Sequence, residues 1–152
     1  MITFFSCSNA TQTITKPEVL AFGSSLAEMK KQLKPLSEAM TERLEEPIQL
    51  PTAQDAQSQL DVSGFLYAGK KRNLELIFAD DALDIIWILT EAEEEAVFLE
   101  QFEALYGAPT HVKEEVTFFL NDGVAVKNNP HEVLFISDRL KEPYKMFLES
   151  AN

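Results

Sequence analysis

The stretch Phe78-Ala-Asp-Asp-Ala-Leu-Asp84 sets three carboxylates, Asp80, Asp81 and Asp84, within five positions between two strand-like runs. Converging carboxylates could hold a divalent cation or serve acid–base chemistry. A calcium loop needs alternating oxygen ligands over about a dozen residues, a central Gly and a closing Glu. This stretch has neither the Gly nor the Glu. Alternation on either side puts Asp80 and Asp81 at a hairpin turn, where Asp bonds nearby backbone amides and tolerates unusual dihedrals. Asp84 returns to the strand on the face opposite Leu83 and Ile85. The three side chains are expected to diverge and to shape a turn.

The two histidines offer another chemistry. His111 opens one strand-like run and His131 another, with Glu132 adjacent. In an up-down-up meander both fall at one end of the sheet, near Asn128, and two imidazoles with a carboxylate could hold a metal. Their spacing is not that of a short helical pair such as His-x-x-x-His, so two loop histidines a strand apart is the competing reading. No cofactor is otherwise implied. A hydrolase needs a nucleophile with an oriented base beside it, yet there is no Gly-x-Ser-x-Gly, and Cys7 lies in the N-terminal tail. Gly69-Lys70-Lys71 lacks the preceding glycine and the helix start of a phosphate loop. Lys70, Lys71 and Arg72 form the one basic knot of the chain, either a solvated hairpin tip or a contact for an acidic partner. Trp87 and the Phe118–Phe119 pair could line a groove. Strand alternation turns one of that pair away from the core. We expect Phe119, Phe65 and Tyr67 to lie on the sheet face that helices leave open, as an exposed patch for a partner.

Net charge bounds the partners. The formal charge is −12, and a surface this acidic repels phosphate backbones and anionic lipid, so nucleic acid is not expected. One cysteine excludes an internal disulfide and a multi-Cys zinc site. No apolar run approaches the ~20 residues of a membrane span. The first thirteen residues, Met-Ile-Thr-Phe-Phe-Ser-Cys-Ser-Asn-Ala-Thr-Gln-Thr, run from apolar to small to polar. That resembles the tail of a secretory signal, with a small-x-small cleavage site ending at Ala10. A lipidated Cys7 is the alternative anchor, although Phe-Phe-Ser departs from the usual lead. A periplasmic or extracellular location is expected, with the cytoplasm as the alternative.

Residues 1–22 read as a tail and 23–152 as one domain with halves at about 23–90 and 91–152. Ser25-Leu-Ala-Glu28 is a capping box. Leu26, Met29, Leu33 and Leu36 follow at helical spacing, and Pro35 ends the helix. A second helical piece is expected over Ser37 to Leu44. From Ser58 the period becomes two. Leu60, Val62, Gly64 and Leu66 alternate with Asp61, Ser63, Phe65 and Tyr67, and Leu74, Leu76 and Phe78 follow on the next strand. Leu83, Ile85, Trp87 and Leu89 form an inward set on a third strand that is apolar on both faces. Thr90-Glu-Ala-Glu93 caps a helix to Tyr106, ended by Gly107 and Pro109. A strand over Val112 to Leu120, a turn at Asn121-Asp122-Gly123, two further strands and a helix from Pro143 complete the chain. The expected fold is α+β: two α-βββ repeats forming an antiparallel sheet with the helices on one face.

This plan resembles the repeats of beta-lactamase-inhibitor-like proteins. The runs Gln59 to Arg72, Phe78-Ala-Asp-Asp, Trp87-Ile-Leu and Tyr106-Gly-Ala-Pro also look like those of uncharacterised exported bacterial proteins. The resemblance spans about residues 23 to 148. It implies a small extracytoplasmic binding domain and carries over no catalytic residue. The expected function is a non-catalytic binding or protein-interaction module working through an open sheet face. The alternative is a metal-dependent enzyme or metal-binding protein using His111, His131 and Glu132.

Overall fold

The first helix is capped by Ser25. In the computed structural model, which describes residues 14–150, the Glu28 amide donates to the Ser25 hydroxyl and the Ser25 amide to the Glu28 carboxylate. These bonds satisfy two donors that a helix start leaves free and open α1 (Leu26–Leu33). A 3-10 turn carrying Pro35 ends it. Four strands follow: β1 (Ala39–Leu44), β2 (Gln57–Tyr67), β3 (Lys70–Ala79) and β4 (Ala82–Leu89). After another 3-10 turn comes α2 (Glu95–Tyr106), then β5 (His111–Val112), β6 (Val116–Phe119), β7 (Val124–Asn128), β8 (His131–Ile136) and α3 (Asp138–Ser150). The strands make one sheet in the order β1-β2-β3-β4-β8-β7-β6-β5, antiparallel at every pairing. The class is α+β, and the halves meet where β4 pairs with β8.

Each half has four strands where three were expected. Residues 39–44, rich in helix formers, are β1 instead of helix, because pairing from Ala39↔Ser63 to Leu44↔Ser58 overrides local propensity. The run from Val112 to Leu120 is broken into β5, β6 and a 3-10 turn. α3 also starts earlier, leaving Pro143 inside it.

The helices do not all share a face. Met29 and Leu33 of α1 and Phe98 and Phe102 of α2 pack with Leu74, Leu76, Ile86, Ile88, Val133 and Phe135. Leu140 and Leu148 of α3 pack with the alternate residues Ile85, Leu134 and Ile136. Central strands apolar on both faces need cover on both, and α3 supplies the second layer. It covers the C-terminal half of its face only. Segment 14–22, read as tail, belongs to the body: Leu20 is fully buried, and Ile14, Val19 and Phe22 pack against the first core.

Two bulges set which side chains face which layer. Between Val62 and Phe65 the pairing of β2 with β3 shifts at Gly64, whose φ of +72° suits a residue without a Cβ. Phe65 and Tyr67 thereby join Leu60 and Val62 in the core under α2, and Leu66 turns outward. On β4 the shift falls at Asp84, between the pairs Phe78↔Leu83 and Ile77↔Ile85. Leu83 and Ile85 therefore face opposite layers.

Candidate functional site

The acidic trio diverges, and each carboxylate ties down a different segment. Asp80 and Asp81 form the tip of the β3–β4 hairpin with φ of +47° and +61°. Asp80 accepts from the amides of Gln54, Asp55 and Ala56 at 2.7–3.0 Å, and these amides hold its carboxyl below the usual aspartate value. Asp81 accepts from the Leu26 amide at the start of α1. Asp84 is 1% exposed. It accepts from Ser137 Oγ at 2.5 Å, Thr52 Oγ1 at 2.6 Å and Arg139 Nη2 at 2.7 Å, joining β4 to the N-terminus of α3 and to the β1–β2 loop.

The basic knot is spent within the molecule. Lys70 pairs with Glu91 at 2.8 Å and Lys71 with Glu38 at 2.6 Å, both exposed. Arg72 is buried. Its guanidinium grips Glu94 with two bonds of 2.7 and 2.6 Å, donates to the Tyr67 carbonyl and lies 5.6 Å from the Phe98 ring centre. It holds Glu94 below the ordinary glutamate value and locks the β2–β3 hairpin onto α2.

The expected aromatic patch is absent. Phe65, Tyr67 and Phe119 are 6%, 7% and 1% exposed, because the Gly64 bulge reverses the phase of β2 and α2 covers Phe119. Tyr67 stacks on Phe98. Burial raises its phenol above the usual tyrosine value and leaves its hydroxyl without a hydrogen-bond partner. Phe118 turns to the other layer, with its ring centre 5.5 Å from that of Tyr144.

The histidines are kept apart. β5 and β8 are separated by β6 and β7, roughly 14 Å at ordinary strand spacing. His111 lies 3.6 Å from Glu149 on α3, and His131 lies 3.6 Å from Glu95 on α2, helices that cover opposite faces. Glu132 bonds Lys127 at 2.9 Å. No three His, Cys, Asp or Glu side chains come together to hold a metal among the described residues. Cys7 lies outside them.

What remains open is the part of the β1–β3 face that neither α3 nor the β1–β2 loop reaches. On the same phase of β2, Gln57 is buried and its side chain accepts from the Gln49 and Leu50 amides. Ala39↔Ser63 and Thr41↔Asp61 pair across β1 and β2, Asp61↔Glu75 across β2 and β3, and Glu75↔Trp87 across β3 and β4. Residues directly opposite in an antiparallel pair share a face, so Thr41, Asp61, Glu75 and Trp87 form one row. The groove here measures about 250 Å³, lined by Thr41, Asp61, Ser63, Asn73, Glu75 and Leu89 among others. Gln59 Nε2 donates to Asp61 at 2.7 Å, and the Arg43 guanidinium stands 3.8 Å from it. The Glu75 carboxylate makes neither a hydrogen bond nor an ion pair. Partial burial, then Glu132, then Asp61 raise its carboxyl above the ordinary value, against a smaller opposing pull from Arg43 and Lys127. Beyond Glu75, the Lys127 ammonium lies 4.6 Å over the Trp87 ring while bonded to Glu132. Past Trp87, an apolar cleft of about 220 Å³ opens under α3, walled by Val116, Phe118, Tyr144 and Phe147. Phe147 is 67% exposed.

Comparison with protein-family models, curated proteins and solved structures returns no match. Sequence reasoning missed Asp61, Glu75 and Lys127. The signal lay in Asp61 and Glu75, two charges on the polar phase of strands whose other phase is apolar.

Proposed function

We propose that the protein is a non-catalytic binding module whose partner surface is the uncovered half of the sheet, from Thr41 on β1 to Trp87 on β4. One observation carries this reading. Like charges at Asp61 and Glu75 stand directly opposite each other, an arrangement that destabilises a sheet, and Glu75 is left without any partner of its own. A partner's donor or cation would relieve both. The binding surface differs from the aromatic patch expected from sequence. It is a polar row leading to an apolar cleft, with Trp87 between them. No nucleophile–base pair converges there. An extracytoplasmic site of action is part of the proposal on the strength of residues 1–10 alone.

Photo-crosslinking tests the reading. A photoreactive residue is placed at Asn73, exposed beside the groove, and in parallel at Val97, exposed on α2. The reading predicts a discrete adduct with one partner from position 73 in the protein's native compartment and none from position 97. Absence of an adduct from 73, or the same adducts from both, would overturn it.

A further inference from the structure

The partner's chemistry is inscribed in this surface, and the inference rests on the binding-module reading above. Lys127 shows what the face does with a cation. Its ammonium lies 4.6 Å over the Trp87 ring and 2.9 Å from Glu132, so one aromatic face and one carboxylate already hold an amine. Glu75 stands on the other flank of Trp87, directly opposite it in register, half-buried and without a donor. Asp61 stands opposite Glu75. Beside this acidic stretch, the cleft under α3 is lined mainly by apolar side chains and ends at the exposed Phe147 ring.

We propose that the surface takes a basic, apolar-bearing segment of a partner protein, with a lysine or arginine side chain against Glu75 and Asp61 and a large apolar side chain in the cleft between Trp87 and Phe147. Charge complementarity selects this occupant. A second copy of a chain with net charge −12 meets repulsion at the same face, and so does an anionic lipid surface. A purely apolar segment would cover the Glu75 carboxylate without supplying a donor, and burying charge without a partner is costly. A purely basic one leaves the cleft in water.

The test uses Trp87, the one tryptophan of the chain, as reporter. Its emission is titrated with the synthetic peptide Lys-Phe-Lys-Leu-Lys, with Lys-Gly-Lys-Gly-Lys and Glu-Phe-Glu-Leu-Glu as controls. The inference predicts saturable binding of the first peptide alone. Affinity should drop at least about tenfold in D61N/E75Q and again in F147S, and be unchanged in V97S on the far surface, tenfold being the size of one good contact. Equal binding of the glycine control, indifference to both groove variants, or no saturation by about 1 mM would overturn it. An adduct from Asn73 that the first peptide does not displace removes this inference and leaves the binding-module reading standing. Loss of the adduct altogether removes both.

Discussion

Glu75 and Trp87 face each other across β3 and β4, the carboxylate without a partner and the indole shared with the Lys127 ammonium. On the flanking strands Asp61 adds a second negative charge to the row. A sheet built for stability alone would place neutral or opposite charges there, and the proposed partner surface is built on this departure.

Replacing Glu75 should therefore help the fold. E75Q removes the repulsion with Asp61 and is expected to gain roughly 0.3 kcal/mol at neutral pH once solvent screening is allowed for. The pH dependence has a definite sign. The folded carboxyl titrates above the ordinary value of 4.5, so the native state takes up this proton first as pH falls. The stabilising contribution is complete below the unfolded value and is lost as pH rises through the raised folded value. Denaturation midpoints at pH 4 to 7 should show the E75Q advantage growing with pH. A variant less stable than the parent at pH 7 would contradict this.

Asp84 anchors α3. D84A leaves Arg139, Ser137 and Thr52 without their common acceptor and should cost about 3 kcal/mol, the scale of breaking a buried charged network. Denaturant unfolding measures this as a lower midpoint. D84N, which keeps the shape and one acceptor oxygen, should lose less.

The bulges explain much of what the sequence hid. Period two places Leu60, Val62, Leu74 and Leu76 correctly because nothing interrupts the alternation among them. One extra residue at Gly64 sends Phe65 and Tyr67 inward, and one at Asp84 puts Leu83 and Ile85 on opposite layers. A lone glycine inside a strand pattern marks such a site. An aspartate between apolar residues reads as ordinary alternation, so the second bulge had no local sign. Capping chemistry was legible at Ser25–Glu28, whereas the box read at Thr90–Glu93 falls one residue later, at Glu91–Glu94. β1 was not legible, since Ala39, Met40, Glu42 and Leu44 favour a helix locally and only pairing with β2 decides otherwise. The divergence of the acidic trio followed from turn preferences. The separation of His111 from His131 depended on strand order and on α3 crossing to the second face.

The Gly64 bulge gives a direct check on this phasing. A Cβ at that position would run into the Glu38 side chain and force a left-handed φ on a residue with a side chain. G64A should destabilise by about 1–3 kcal/mol. If the strand slipped instead into unbroken alternation, Phe65 and Tyr67 would emerge, and dye binding to exposed apolar surface would rise. Wild-type stability in G64A would contradict the bulge.

The basic knot divides in the same way. R72A removes a buried guanidinium that holds Glu94 and the Tyr67 carbonyl and should cost about 3 kcal/mol. R72K should restore little, because an ammonium lacks the two-pronged grip. K70A and K71A break exposed pairs and should barely move the unfolding midpoint. Equal effects at all three positions would contradict the assignment of Arg72 as structural.

The central claim is that the uncovered half of the sheet is the partner surface, and the Asn73 crosslinking experiment tests it most directly. A single discrete adduct from position 73, lost in D61N/E75Q and absent from position 97, is the predicted result. Adducts that form equally from both positions, or none from 73, would contradict it.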